Sequence, residues 1–214
     1  IAAKICGVQI IIGTQPGLGI LYSPNNLNYL KVYKWCFENL NKMICKLSDI
    51  TIYQNLSDLE LMLRKNIISN TNSCLIKSSG IDTNYFSFDE RKLEIDLLES
   101  KKINVVLISR LIKSKGIIDF CELAKQIRKK YDNVIFNIVG NIPKNSPDKI
   151  SINIFKKYNK HVKFLGLKKD VKKTLSESHL MVFPSRYAEG VPRVLLEAAS
   201  MGLPLIAYEN AGSN

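Results

Sequence analysis

Short apolar runs alternate with amphipathic segments throughout the second half of the chain. The runs, each with the length and composition of a buried strand, are 103–109, 133–140, 162–166, 180–185 and 203–208. The segments between them have helical spacing of apolar residues and cover about 115–130, 147–159, 170–177 and 190–201. This order predicts a parallel sheet whose strands are joined by right-handed helical crossovers.

The first half has a similar but less regular pattern. Its predicted elements are a helix end at 1–7, strands at 8–13, 49–55 and 73–77, and helices at 27–47 and 57–65. Gly7 has the place of a helix-terminating residue. Ser57 and Glu60 predict a capping box at the start of the last helix. The β-branched run 8–13 is typical of a strand buried in a parallel sheet.

The helix predicted over 27–47 has two distinct faces. One is apolar, with residues three and four apart: Leu27, Leu30, Tyr33, Phe37, Leu40, Ile44 and Leu47. The other carries four lysines. Two interpretations follow, a helix packed on a sheet with its lysines in water and a helix lying on a membrane surface; the pattern favours the first.

A charged, aperiodic stretch at 78–102 separates the two halves and predicts a connection between domains. We therefore expect one domain over 1–80, a linker over 81–102 and a second domain over 103–214.

Composition excludes several classes of protein. Of the 214 residues, 46% are apolar and 8% aromatic, which is enough to form a core and excludes a disordered chain. No apolar run approaches the roughly 20 residues of a membrane span, which excludes a channel. The five cysteines are scattered without a CxxC pair, and only two histidines are present. This argues against a disulfide framework or a zinc module and favours a reducing compartment.

The positive charge is concentrated in the second half. Residues 1–102 have a net charge of +2, whereas residues 103–214 have +10 of the total +12. Such a basic half predicts a phosphate-bearing partner, which leaves a nucleotide, a nucleic acid or an anionic lipid surface open. Eight lysines lie between Lys156 and Lys173. They fit either attraction to anionic lipid headgroups or a solvated face, and the solvated face is the favoured interpretation.

Candidate chemistry lies at the predicted strand ends, where open parallel sheets bind their ligands. Arg110 and Lys115 follow the first strand of the second half and combine donors that suit a diphosphate. As an isolated pair they are a weak signal, because basic residues near helix starts are common.

Two acids near the last predicted helix form a sharper pattern. Glu189 precedes the helix, Gly190 allows a ligand to approach the backbone, and Pro192 fits a first helical turn. Glu197 lies two turns along, so the two carboxylates can reach different hydroxyl groups of a ligand. Both acids also have explanations without a ligand. Glu189 can compensate the helix dipole, and Glu197 can be a surface residue. The sequence favours neither these explanations nor ligand binding.

The second half resembles the nucleotide-sugar-binding domain of the retaining GT-B glycosyltransferases of family four, which assemble bacterial capsules, lipopolysaccharides and glycans. The matching segments are SRLIKSKG (109–116), FNIVG (136–140), VKFLGLKKDV (162–171) and HLMVFPSRYAEGVPRVLLEAASMGLPLIA (179–207). The last contains the E-x7-E motif as Glu189 and Glu197. The resemblance implies an α/β protein with two doubly wound parallel-sheet domains, an acceptor-side domain ending near residue 80 and a donor-binding domain over 103–214.

The resemblance also implies roles for individual residues. Arg110 and Lys115 match the pair that binds the donor diphosphate and stabilises the charge of the leaving nucleotide. Glu197 matches the acid that holds the ribose hydroxyls. The family needs no metal or other cofactor for this chemistry, and the sequence has no DxD metal motif.

Other positions match the donor sugar and the base. Glu189 matches the acid that touches the donor sugar, so the catalytic residues implied are Arg110, Lys115 and Glu189. The segment that closes over the sugar contains Gly190, Val191 and Pro192, and the positions near the base are Gly140, Gly166 and Leu167.

The first half resembles the later part of the acceptor-side domain. The segment QIIIGTQPGLGILYSPN (9–25) is like the T-x-x-G-L-G segment of enzymes that act on lipid-linked sugars, which puts Gly17 and Gly19 on the acceptor side. SSGIDTNYF (78–86) is like the segment that enters the interdomain linker.

The catalytic-site histidine of many family members is absent. Their histidine follows the strand that corresponds to 8–13, where this sequence has Gln15, Pro16 and Gly17. No catalytic base is therefore assigned. His179 directly precedes a predicted strand and is expected to be structural.

The leading hypothesis is a retaining transferase that moves a sugar from a nucleotide sugar, most simply a UDP-sugar, to a lipid-linked saccharide. We expect a peripheral protein at the cytoplasmic face of the cell membrane, with contact to anionic lipid, and a chain that is a fragment of a longer enzyme. One alternative is an inactive nucleotide-sugar-binding relic, kept open by the missing histidine. The other, a nucleic-acid-binding protein, is disfavoured, because only Tyr158 and Phe164 interleave with the basic run and Phe164 is expected in a buried strand.

Overall fold

The computed structural model describes residues 1–23, 30–89, 102–210 and 212–213. The chain forms two compact units. The first comprises Ile1–Ser79, Tyr187–Pro192 and Glu209–Asn214, and the second comprises Gly80–Arg186 and Arg193–Tyr208. Two short segments from the range predicted to bind the donor therefore belong to the first unit.

The first unit contains a parallel sheet of three strands. Its elements are α1 (Ala2–Ile5), β1 (Ile12–Gln15), α2 (Leu30–Leu47), β2 (Ile50–Tyr53), α3 (Leu56–Arg64), a 3₁₀ turn (Asn70–Asn72) and β3 (Ser73–Leu75). The strand order is β1-β2-β3, with Ile12 opposite Ile50 and Thr51 opposite Ser73. The prediction of a buried strand at 8–13 was wrong in extent and burial. β1 begins only at Ile12, whose side chain is exposed because β1 pairs on one side only among the described residues.

Helix α2 packs through a different face from the predicted one. Asn41 and Cys45 are buried, whereas Tyr33, Leu40 and Ile44 of the expected apolar face are exposed. The small Cys45 lies in a cluster with the fully buried Tyr53. Helical spacing identified the helix correctly, but packing against the sheet decides which of its faces is covered.

The N-cap of helix α3 lies two residues earlier than predicted. Asn55, and not Ser57, is the N-cap, because the Asn55 Oδ1 accepts a hydrogen bond from the Asp58 N–H at 2.7 Å. Both residue types favour the cap position, so the pattern alone did not discriminate between them.

The second unit contains the five predicted parallel strands. Its elements are β4 (Ile103–Ile108), a 3₁₀ turn (Lys113–Lys115), α4 (Ile117–Ile127), β5 (Val134–Val139), α5 (Asn153–Tyr158), β6 (Val162–Gly166), α6 (Val171–Ser176), β7 (Leu180–Phe183), α7 (Arg193–Ser200) and β8 (Leu205–Ala207). The strand order is β6-β5-β4-β7-β8, which is that of a doubly wound sheet. From β4 the chain adds β5 and β6 on one side and then returns to add β7 and β8 on the other, so the strand order reverses between β4 and β7. The predicted α/β class with parallel sheets is confirmed.

Apolar side chains cover both faces of the central strands. Val105, Leu107 and Phe136 pack under α4 on one face, and Val106, Met181 and Phe183 pack with α7 residues on the other. The edge strands are less covered than predicted. Phe164 of β6 is 42% exposed and stacks on Phe155, because an edge strand has a neighbour on one side only.

Part of the predicted linker belongs to the second unit. The Phe86 ring is buried in its core, and the Ser200 hydroxyl donates to the Phe86 carbonyl at 2.5 Å. Residues 90–101 of the linker lie outside the described residues.

Three negative findings apply to the described residues. None of their helices has the length and apolar character needed to cross a membrane. All five cysteines lie within them and are free thiols. No group of three or more His, Cys, Asp or Glu side chains there is arranged to hold a metal ion.

Candidate functional site

The loop after β4 carries the two predicted phosphate-binding cations. Arg110 directly follows the loop residue Ser109 and has an exposed side chain. Lys115 ends the 3₁₀ turn and is only 5% exposed, with its ammonium nitrogen 5.1 Å from the centroid of the Phe183 ring. Because this loop adjoins the reversal of strand order between β4 and β7, both cations lie at the sheet edge where doubly wound folds bind ligands.

Asp148 anchors this loop. Its carboxylate accepts hydrogen bonds from the Ser114 N–H at 3.0 Å and from the Ser114 hydroxyl. Its backbone carbonyl accepts from the Lys113 N–H at 2.8 Å. Asp148 is 8% exposed, so a buried carboxylate fixes the turn between Arg110 and Lys115.

The predicted glycine at the end of β5 lies against the same loop. Gly140 has a φ of +148°, and a Cβ there would overlap the Ser109 carbonyl. Only glycine fits this close approach. The Gly140 N–H donates to the Gly166 carbonyl at 2.9 Å, so the ends of β5 and β6 meet, while the Leu167 side chain that follows is 69% exposed.

The loop after β7 completes the described edge of the second unit. The Arg186 N–H donates to the Ser114 carbonyl at 2.7 Å, which ties this loop to the one after β4. The Arg186 side chain forms an ion pair with Asp119 of α4. Arg186 is thus engaged in holding the two loops together.

Glu197 lies on the second turn of α7. Its side chain is 12% exposed and 3.8 Å from the Arg193 guanidinium. Burial raises the pKa of Glu197, and the neighbouring Arg193 offsets this only in part. Because α7 begins at Arg193, Pro192 precedes the helix instead of lying in its first turn, which corrects the prediction.

In the first unit, Glu189 and Gly190 lie against the segment with the predicted acceptor-side glycines. A Cβ on Gly17 would be 2.6 Å from the Glu189 Cα, so the two chain segments touch through bare backbone. The Gly19 N–H donates to the Ala188 carbonyl at 2.6 Å.

Asn55 supports the same segment. Its amide nitrogen lies 3.4 Å from the Glu189 carbonyl oxygen and 2.8 Å from the Asp58 carboxylate, to both of which it donates. Burial raises the pKa of Asp58, whereas the Asn55 hydrogen bond lowers it. The Glu189 carbonyl is therefore held by Asn55, the N-cap residue of α3.

Two further predictions concern Gln15 and His179. Gln15 ends β1, and its amide donates to the Gly17 carbonyl at 2.7 Å, which braces the loop where the histidine was expected. His179 is structural, as predicted: its Nδ1 accepts from the Asn104 N–H at 3.1 Å, which links β4 to the start of β7.

Sequence reasoning missed Asp148 and Asn55. Asp148 lies in a stretch rich in turn residues without regular spacing, and no sequence signal connects it to Ser114 thirty-four positions earlier. Asn55 carried a signal, because it is a residue type that favours helix N-caps and lies between a strand and a helix.

Residues 102–214 match the family model described as Glycosyl transferases group 1. The chain belongs to this family. It also has the GT-B fold of the solved enzymes that it resembles. It spans about half the length of the relatives that it matches.

Two relatives align with almost the whole chain of this family member. It is 28% identical over 218 residues to the Campylobacter jejuni N,N'-diacetylbacillosaminyl-diphospho-undecaprenol alpha-1,3-N-acetylgalactosaminyltransferase, covering 99% of this chain and 56% of the relative. It is 27% identical over 220 residues to the Escherichia coli UDP-Gal:alpha-D-GlcNAc-diphosphoundecaprenol alpha-1,3-galactosyltransferase. This alignment covers 100% of this chain and 55% of the relative.

A solved structure has a similar fold. Anabaena HepE in complex with UDP-glucose superposes with a TM-score of 0.73 at 18% identity, over 99% of this chain and 57% of HepE. At this identity the likeness establishes the fold alone.

Proposed function

We propose that this family member binds a UDP-sugar and transfers its sugar, with retention of anomeric configuration, to a saccharide linked to a polyisoprenyl diphosphate. The observation that carries the proposal is the loop after β4, which has Arg110 and the buried Lys115 at the ligand-binding edge of a doubly wound sheet. Relatives support the acceptor class, since the names of both contain an undecaprenol-linked diphosphate. The name of one also specifies UDP-galactose as donor.

The two cations suit the chemistry of the leaving group. Cleavage of the bond between sugar and diphosphate leaves negative charge on the nucleotide, and fixed cations stabilise charge that develops in the transition state. Arg110 offers a planar guanidinium that can bind two phosphate oxygens, and Lys115 offers a point charge whose position is set by burial. We assign both to the donor diphosphate and expect no metal ion to take part.

The acids are assigned to the sugar parts of the donor. Glu197, poorly exposed on α7, accepts hydrogen bonds from the ribose hydroxyls. Glu189 contacts the transferred sugar, with the backbone of Gly190, Val191 and Pro192 beside it. Gly140, Gly166 and Leu167 are assigned to the neighbourhood of the base, and Gly17 and Gly19 to the acceptor side.

Retention and location are parts of the same proposal. Both relatives form alpha linkages by name, which supports retention when the donor sugar is itself alpha-linked. A polyisoprenyl-linked acceptor resides in a membrane, so we place the protein at the inner membrane face as a peripheral component.

Titration calorimetry with UDP tests the donor site. We expect Arg110→Ala with Lys115→Met, which keeps the buried volume of the lysine, to weaken UDP binding at least about 100-fold, because two charge-assisted contacts are lost. Lys113→Ala is the matched control, since this exposed lysine lies in the same turn and should leave the affinity within about twofold. Equal UDP affinity in the wild-type and doubly substituted proteins would overturn the assignment.

A transfer assay tests the reaction itself. A UDP-sugar and an undecaprenyl-diphosphate-linked saccharide are the substrates, and NMR of the product reports the anomer. A beta-linked product from an alpha-linked donor would contradict retention, and UDP binding without transfer would support the relic instead.

A further inference from the structure

A cavity of about 620 Å³ lies beneath α6 in the second unit, against the face of β4, β5 and β6. Its wall includes Asn104, at the amino end of β4, and also Leu165 and Lys168, at the carboxyl end of β6, so it runs along the sheet from one edge to the other. Its described lining contains none of the residues assigned to the donor. Leu165 and Lys168 of the lining flank Gly166 and Leu167, so the cavity adjoins the positions assigned to the base but shares no residue with the proposed donor site.

The sheet surface under this cavity is unusually polar. Val106, Asn137 and Lys163 lie opposite one another on three adjacent strands, which puts a row of side chains across the sheet. Interior strands of parallel sheets are normally apolar on both faces, because helices cover them. Asn137 is instead a half-buried amide that lines a cavity. Such a position offers a hydrogen-bonding group to a polar ligand.

Four lysines surround this polar surface. Lys163 comes from β6, Lys168 and Lys169 from the following loop, and Lys173 from α6. Among the described residues none of the four forms an ion pair. Four exposed lysines from three chain segments therefore line one cavity, and none of them is within ion-pair distance of a carboxylate in the described residues.

The two acids of the lining do not cancel this charge. The Asp170 carboxylate already accepts a hydrogen bond from the Lys173 N–H at 2.8 Å as the N-cap of α6. Glu177 lies at the other end of α6. The lining keeps a formal excess of two positive charges, which matches the charge of a phosphate monoester or a diphosphate.

The lysine-rich stretch of the sequence is thus divided by the structure. Lys157 lies 4.0 Å from Glu122 in an ion pair, and Lys172 lies over the Tyr85 ring at 4.8 Å. The lysines of the cavity wall have no such contacts in the described residues. All four are exposed to solvent, and they differ from Lys157 and Lys172 in lining the cavity without such contacts in the described residues.

We infer that the cavity beneath α6 is a binding site for a phosphate-bearing anion, distinct from the donor site. Lysines bind phosphate as point charges without strict geometry, and the Asn104 and Asn137 amides can donate to the remaining oxygens. The ligand chemistry is the phosphate group itself. Its source is either a soluble phosphate compound or the headgroup of an anionic lipid.

Two variants of equal charge isolate the site. The cavity variant is Lys163→Gln, Lys168→Gln, Lys169→Gln and Lys173→Gln, and the control variant replaces the exposed Lys129, Lys130, Lys156 and Lys160 by Gln. Both lower the net charge of +12 by four, so a difference between them reports position and not total charge. Lys163→Gln with Lys173→Gln is a milder second variant in case the fourfold change disturbs folding.

The first arm of the experiment uses inorganic diphosphate. It is titrated into protein that carries Arg110→Ala and Lys115→Met, so that the donor site does not compete, and amide NMR shifts are followed. We expect shifts at 163–178, an affinity at least about tenfold weaker in the cavity variant, and a change of less than about twofold in the control variant. This outcome supports a site for soluble phosphate compounds and is independent of UDP binding by the wild-type protein.

The second arm uses vesicles of phosphatidylcholine with and without phosphatidylglycerol. Binding that requires phosphatidylglycerol and is lost only in the cavity variant identifies a lipid headgroup as the source. If neither probe binds, or if the cavity and control variants lose binding equally, the inferred site is wrong.

Discussion

The carboxylate of Asp148 provides the sharpest test of how the loop after β4 is held. Asp148→Ala removes the acceptor of both the Ser114 N–H and the Ser114 hydroxyl. A hydrogen bond to a charged group contributes about 1.5–3 kcal/mol, and Asp148 is only 8% exposed, so solvent screens these bonds little. We expect the substitution to lower the free energy of unfolding by about 3–5 kcal/mol.

A double-mutant cycle separates the two bonds. Ser114→Ala deletes the hydroxyl but keeps the backbone N–H, so Asp148→Ala should cost about 1.5–3 kcal/mol less in that background than in the wild-type protein. Asp148→Asn keeps one carbonyl oxygen without the charge and should fall between wild type and Asp148→Ala.

Urea denaturation followed by circular dichroism measures the four corners of the cycle. Hydrogen exchange at the Ser114 amide, read by NMR, reports the local bond directly and should accelerate in Asp148→Ala. A coupling energy below about 0.5 kcal/mol, or unchanged exchange at Ser114, would refute the idea that Asp148 anchors the loop.

Three further predictions concern stability. Gly140→Ala should lower the free energy of unfolding by at least about 3 kcal/mol, because the added methyl meets the Ser109 carbonyl. Gly80→Ala, where φ is also positive but the space is open, should lower it by only about 1 kcal/mol. Similar values for the two variants in denaturation experiments would contradict the close packing at Gly140. Asn55→Ala removes a helix cap and a partner of the buried Asp58 and should cost about 2–4 kcal/mol, with Asn55→Ser losing less because it keeps the cap. Burial raises the pKa of Glu197, so the stability from its neutral form is complete below the ordinary carboxyl pKa and is lost as pH rises through the raised value. Glu197→Gln should therefore melt above the wild-type protein at pH 8 and not below about pH 4, and a constant difference across this range would show that burial does not control this group.

The fold was largely predictable because both local signals and topology rules apply to it. Five apolar runs alternating with helices leave few possible arrangements, and all five strands pair in parallel. The errors concern the burial of side chains, which depends on what packs against them in the folded protein. Phe164 has the sequence environment of a buried strand residue, but the edge position of β6 exposes it. Likewise, the spacing of Tyr33, Leu40 and Ile44 predicts a helix face without determining what covers it.

The candidate site was predictable where its residues lie in ordered motifs. Arg110, Lys115 and Gly140 follow strands whose ends share an edge, so a sequence pattern locates them. The side chains that hold these positions were not predictable. The contact of Asp148 with Ser114 spans thirty-four residues and depends on how an irregular loop folds back, which periodicity does not encode.

The anchored loop after β4 also has a consequence for binding kinetics. Fixing the backbone of one residue costs about 1–2 kcal/mol of conformational entropy, and in this loop the Asp148 bonds and the Arg186 N–H impose that order during folding. If a nucleotide binds there as proposed, the loop is already ordered, so the ordering cost is not subtracted from the binding free energy. Association of UDP with this loop should accordingly follow a single relaxation whose rate rises linearly with UDP concentration, without a slower phase of loop closure.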